Sequence, residues 1–119
     1  MNAPHGFPTM PLTRAFRDTV KSRADRDPAF RVALLTEGLE TLLAGDLETG
    51  KALLRDYVNA TLGFEALASA TGLPVKSLMR MLGPSGNPQA RSLFTVIEAL
   101  QRAEGLVLEV SVAADPEAA

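Results

Sequence analysis

Phe64-Glu65-Ala66-Leu67-Ala68-Ser69-Ala70-Thr71-Gly72-Leu73-Pro74-Val75-Lys76-Ser77-Leu78-Met79-Arg80-Met81-Leu82 carries a small residue, a glycine and an aliphatic at its fifth, ninth and fifteenth positions. These positions decide whether two short helices can cross closely. Ala68 is small where the helices meet, Gly72 can take the positive φ of a sharp turn, and Leu78 fills the space between the helices, with Leu67 and Leu73 alongside. The spacing predicts helices over 64–71 and 75–82, the second opened by Pro74. An ordinary helical hairpin accounts for Gly72 as a helix stop but not for the joint placement of Ala68 and Leu78. The stretch reads as a helix-turn-helix.

A motif of this geometry reads DNA by entering the major groove with the N-terminal end of its second helix. The residues expected to face bases are Val75, Lys76, Ser77, Met79 and Arg80. Arg80 suits guanine, Lys76 and Ser77 suit bases or phosphates, and Val75 and Met79 suit thymine methyls. Met79 suits the core equally well. In the following loop, Gly83-Pro84-Ser85-Gly86-Asn87-Pro88, the backbone N–H groups with Ser85, Gly86 and Asn87 are placed to receive a backbone phosphate. Asn87-Pro88 also reads as a cap followed by the proline start of a helix.

Outward from the motif the pattern stays helical. Phe16, Val20 and Ala24 recur every four residues in a stretch free of Pro and Gly from Leu12 to Arg26. Asp27 then caps a second helix with Pro28 at its first position, and Phe30, Ala33, Leu34, Leu35, Leu39, Leu42 and Leu43 follow helical spacing up to a stop at Gly45. A third helix, capped by Asp46, is expected to run to about Leu62 with Leu47, Leu54, Tyr57, Val58 and Leu62 on one side, and a last one to span about 88–103 with Leu93, Val96, Ile97 and Leu100 inward. Beyond Gly105, Leu106, Leu108, Val110 and Val112 alternate with Val107, Glu109 and Ser111, the period of a half-buried strand over 106–112. The expected fold class is all-α, a bundle of five to six helices containing the helix-turn-helix, plus one C-terminal strand.

No other segment offers that strand a partner, and an isolated edge leaves its N–H and C=O groups unpaired. It is expected to pair between subunits of a homodimer, antiparallel across a two-fold axis. A different protein's sheet edge, or the chain's own helices, are the alternatives. The domain organisation follows: a Pro-rich and disordered start over 1–11, one helical domain over 12–112, and a flexible acidic tail over 113–119.

Composition narrows the chemistry. The 119 residues, 46% hydrophobic, suffice for one core. There is no cysteine, and the only histidine, His5, sits in the Pro-rich start, so thiolate metal sites, thiol nucleophiles and imidazole acid–base pairs lack material. Asp25, Asp27, Asp46 and Glu48 fall at helix ends, where capping explains them. No enzyme, metal or cofactor is expected. With no apolar run near the ~20 residues of a membrane span and no signal-like start, the chain is expected in the cytoplasm without membrane attachment. A net charge of −2 argues against indiscriminate nucleic-acid binding. Between Gly72 and Ala103, however, Lys76, Arg80, Arg91 and Arg102 face only Glu98, a local balance of +3.

Arg55-Asp56-Tyr57-Val58-Asn59-Ala60-Thr61-Leu62-Gly63-Phe64-Glu65-Ala66-Leu67-Ala68, followed by Lys76-Ser77-Leu78-Met79-Arg80-Met81-Leu82-Gly83-Pro84-Ser85-Gly86-Asn87-Pro88, resembles prophage-type, Xre-like helix-turn-helix regulators, the addiction-module antidotes or HigA-like antitoxins. The resemblance spans roughly residues 12–112. It implies a lambda-repressor-like arrangement of the motif and a chain that represses its own operon and neutralises a RelE/HigB-like toxin. It places DNA contact on Lys76, Ser77, Arg80 and the Ser85-Gly86-Asn87 loop. The chain departs from the family pattern at Met79, where histidine is usual, and at Gln89-Ala90-Arg91, where threonine usually follows the Asn-Pro pair, so base preference does not carry over. Two surfaces are candidates for the toxin: the helices of 12–62 and the C-terminal strand. The competing function is a protein-interaction module whose helix-turn-helix does not bind DNA.

Overall fold

The computed structural model describes residues 14–118. The Pro-rich start with His5, and the helix start expected at Leu12, lie outside the described residues. Six helices follow in order: α1 (Arg14–Arg26), α2 (Pro28–Leu43), α3 (Leu47–Ala60), α4 (Gly63–Thr71), α5 (Val75–Met81) and α6 (Ala90–Glu104). Their starts are set locally. Asp27, in extended conformation, accepts the Phe30 N–H at 3.1 Å, and Pro28 occupies the first turn of α2, where a missing N–H costs nothing. Asp46 repeats the device on Thr49 at 3.1 Å, and hydrogen bonds from Thr49 hold its carboxyl below the ordinary carboxylate pKa.

The helices α2 and α3, joined by three residues, make the most extensive helix contact, with α1 laid against both; α4 packs on α3, α5 and α6. The core gathers one row of side chains from each of five helices: Leu35, then Leu54 and Val58, Leu67, Leu78 and Leu82, Val96 and Leu100, all without exposed surface. Burial of such a side chain stabilises by roughly 1.5–3 kcal/mol. Leu43 and Leu47, expected inward, are instead exposed at the α2–α3 corner, Leu43 ending α2 and Leu47 opening α3. Phe16 of α1 is also half exposed, whereas Ala24 on the same face is buried. No helix among the described residues is long and apolar enough to cross a membrane.

A polar network joins the first half of the chain to the last helix. Glu104 on α6 accepts from the Tyr57 hydroxyl on α3 and from Arg31 Nε on α2 at 3.0 Å, while Arg31 Nη1 donates to the Ala24 carbonyl on α1 at 2.6 Å. Burial and the Glu104 carboxylate push the Tyr57 hydroxyl pKa up, so it remains a donor throughout the neutral range.

The strand expected over 106–112 does not form among the described residues, where no other segment is laid beside it as a strand. The segment leaves α6 at Gly105 and doubles back, with the Leu106 N–H on the Gln101 carbonyl at 3.0 Å and the Leu108 N–H on Gln101 Oε1 at 2.8 Å. Leu106 and Leu108 pack on the core, but Val107, Val110 and Val112 are 80%, 78% and 100% exposed, so the inward–outward alternation ends after Leu108.

Candidate nucleic-acid interface

Three residues, Gly72-Leu73-Pro74, separate α4 from α5. Gly72 has φ +77° and ψ +8°, the left-handed conformation that costs a side-chain-bearing residue roughly 1–2 kcal/mol, and its N–H returns to the Ala68 carbonyl at 2.8 Å. The Thr71 hydroxyl accepts the Leu73 N–H at 3.2 Å, and Pro74, extended at φ −64° and ψ 146°, offers its carbonyl to Leu78 N–H at 3.0 Å to start α5. Leu67 and Leu78 are fully buried, with Ala68 and Leu73 half-buried against the core. Space is open around Gly72, so Gly72→Val acts through the backbone alone. It is expected to lower stability by about 1–2 kcal/mol in urea titration, and Gly72→Asn by less, because asparagine tolerates the left-handed region. Equal stability of Gly72→Val and the parent chain would remove Gly72 from its turn role.

At 100° per residue the exposed arc of α5 centres on Lys76 and Arg80, one turn apart, flanked by Met79 and Ser77, with Leu78, Met81 and Leu82 opposite and buried. Met79 is 53% exposed and so stands on the outer face rather than in the core. Val75 corrects the reading: it is half-buried against the core and is not a fully presented contact residue. Arg102 pairs with Glu98 on α6, whereas Lys76, Arg80 and Arg91 enter no ion pair among the described residues. Uncompensated cations on one outward helix face suit a polyanion.

The loop after α5 is held by two residues the sequence reading did not single out. Lys51 on α3 is 1% exposed; its Nζ donates to the Gly83 carbonyl at 3.0 Å and the Gly86 carbonyl at 2.6 Å, and lies 3.1 Å from the Glu48 carboxylate. One turn on, Arg55 Nη1 donates to the Leu82 carbonyl at 2.8 Å. All three carbonyls lie just past the C-terminal end of α5, where a cation also suits the helix dipole. The available signal was register: Lys51 precedes Leu54 by three residues and Val58 by seven, on the inner face, where a cation needs carbonyl or carboxylate partners.

Within that loop Ser85 and Asn87 are exposed and Gly86 is half-buried. A Cβ on Gly86 would stand 2.0 Å from the Arg80 carbonyl, so only glycine passes beneath the end of α5. The cap expected at Asn87 does not form, and α6 begins two residues later than Pro88. Pro88 disfavours helical backbone at Asn87, and Gln89, the residue before α6, is extended and supplies no side-chain cap. The first N–H groups of α6 are therefore left without a side-chain acceptor.

On another face α1, α2 and α3 border an open groove of about 590 Å³, with Phe16, Val20, Phe30 and Leu34 as apolar walls and Asp56 among its polar residues. Burial pushes the Asp56 carboxyl pKa up. No family model, curated protein or solved structure matches the chain.

Proposed function

We propose that the chain is a sequence-specific DNA-binding repressor, with α4 and α5 as its helix-turn-helix. The observation that carries this reading is the outward face of α5, where Lys76 and Arg80, behind the left-handed turn at Gly72, enter no ion pair among the described residues. Lys76, Ser77, Met79 and Arg80 contact bases or the adjoining backbone, Val75 lends only an edge, and Ser85 and Asn87 meet a phosphate beside the groove, whereas Gly86, whose N–H is used on the Gly83 carbonyl, shapes the loop between them. The resemblance at residues 55–68 and 76–88 extends the reading to the antitoxin of a type II toxin–antitoxin module. Such a protein acts in the cytoplasm, represses its own operon and binds a RelE/HigB-like toxin. A reporter driven by the chain's own upstream sequence is expected to fall silent when the chain is supplied in trans and to recover with the Lys76→Ala, Arg80→Ala double variant. Unchanged reporter output on supplying the parent chain contradicts the repressor reading.

A repressor with so few cations gains from pairing, because two recognition helices set ~34 Å apart meet successive major grooves on one duplex face. The segment 106–112 supplies the contact: beyond Leu108 its backbone makes no hydrogen bond among the described residues, and its valines are exposed. Truncation after Leu108 keeps the two leucines that pack on the core, so it is expected to give a folded monomer in sedimentation equilibrium. A persisting dimer would place the subunit contact elsewhere. The same exposed valines and the α1–α3 groove favour a second reading, a protein-interaction module whose helix-turn-helix does not bind DNA; it predicts no salt-dependent DNA affinity at all.

A further inference from the structure

We propose that Lys51 is a positioning residue that, from inside the bundle, fixes the loop 83–88 in the shape that presents Ser85 and Asn87 to a DNA phosphate. The inference rests on the DNA-binding reading above. Lysine is almost never fully buried unless paired, and a well-packed apolar residue commonly serves stability as well as a buried ion does. What the ammonium of Lys51 does that an apolar side chain cannot is bind two carbonyls at once, and both, Gly83 and Gly86, belong to this loop. Arg55 takes a third at Leu82. With those carbonyls drawn toward α3, the opposite side of the loop carries Ser85 and Asn87, both exposed, whose N–H groups make no hydrogen bond among the described residues. The Gly86 N–H, in contrast, is used on the Gly83 carbonyl at 3.0 Å. Gly86 lies directly under the Arg80 carbonyl, so the loop has no room to move toward α5. The donors are thereby set before DNA arrives, and their ordering is not charged to binding.

The test uses the full chain and the duplex directly upstream of its own coding sequence, with single phosphates replaced in turn by uncharged methylphosphonates. For the parent chain, one or two replacements beside the loop are expected to weaken binding about tenfold. For Lys51→Met those same replacements are expected to have no effect, while sensitivity to phosphates elsewhere is retained. A merely structural lysine would lower the thermal midpoint and weaken all duplexes alike. A folded Lys51→Met with the parent's phosphate profile overturns the proposal. If Lys51→Met does not fold, Arg55→Met, half-buried and with one bond to the loop, is measured on the same duplexes; loss of the same phosphates supports the proposal, and the parent profile overturns it. The parent chain separates the two levels: no preference for the upstream duplex defeats the DNA-binding reading itself, whereas preference with an unaltered Lys51→Met profile defeats only this inference.

Discussion

Replacing Lys76 and Arg80 together by alanine is expected to weaken binding to the upstream duplex by about 100-fold while leaving the thermal transition in place. Both side chains are exposed on the outer face of α5 and engage no carboxylate among the described residues, so their removal breaks no ion pair. Alanine favours helix, and exposed substitutions of this kind usually change stability by no more than about 0.5 kcal/mol. Each good contact to a base edge discriminates by roughly 1–3 kcal/mol, and about 1.4 kcal/mol is tenfold in affinity, so two such losses give the stated size. The single variants divide the effect. Arg80→Ala is expected to relax preference at one base pair, and Lys76→Ala to weaken all duplexes evenly if its contact is a phosphate. Fluorescence anisotropy paired with calorimetry reads both quantities; affinity within threefold of the parent, with the fold intact, would remove α5 from the DNA interface.

Leu78→Ala is expected to produce the largest loss of stability, about 2–5 kcal/mol, because Leu78 is wholly buried where α5 seats against the core. A domain of this size has about 5–15 kcal/mol in total, so the thermal midpoint is expected to fall by roughly 10 °C or more. The adjacent Met79→Ala is the internal control: at 53% exposed it lies outside the packed layer and is expected to leave the midpoint nearly unchanged. Urea unfolding of the pair checks the contrast. A Leu78→Ala chain within 1 kcal/mol of the parent would mean that α5 is not seated by this residue.

Much of the architecture was legible because its determinants are local. Asp27-Pro28 and Asp46 cap helices through their own next turn, and Gly72 sets the α4–α5 corner through its own φ. The joint spacing of Ala68, Gly72 and Leu78 is a local constraint too. What periodicity could not show depends on distant parts of the chain. Register places Lys51 on the inner face of α3, but its partners, the Gly83 and Gly86 carbonyls, lie more than thirty positions later and are not visible locally. Leu43 and Leu47 have core spacing but stand exposed at the α2–α3 corner, and Val75 turns its side chain partly inward. Asn87 has the side chain of a cap, but Pro88 disfavours helical backbone at Asn87 and α6 begins only at Ala90, after Gln89. The segment 106–112 has the alternation of a strand, but no strand forms among the described residues, because alternation marks a residue's faces and not the presence of a second edge.

Anisotropy titration of the full chain against its own upstream duplex and a scrambled duplex of equal length, at low and at physiological salt, decides whether the face of α5 reads DNA. Tighter binding to the upstream duplex that weakens as salt rises is the predicted result. Equal or absent binding to the two duplexes at both salt concentrations would contradict it and leave the protein-interaction reading in its place.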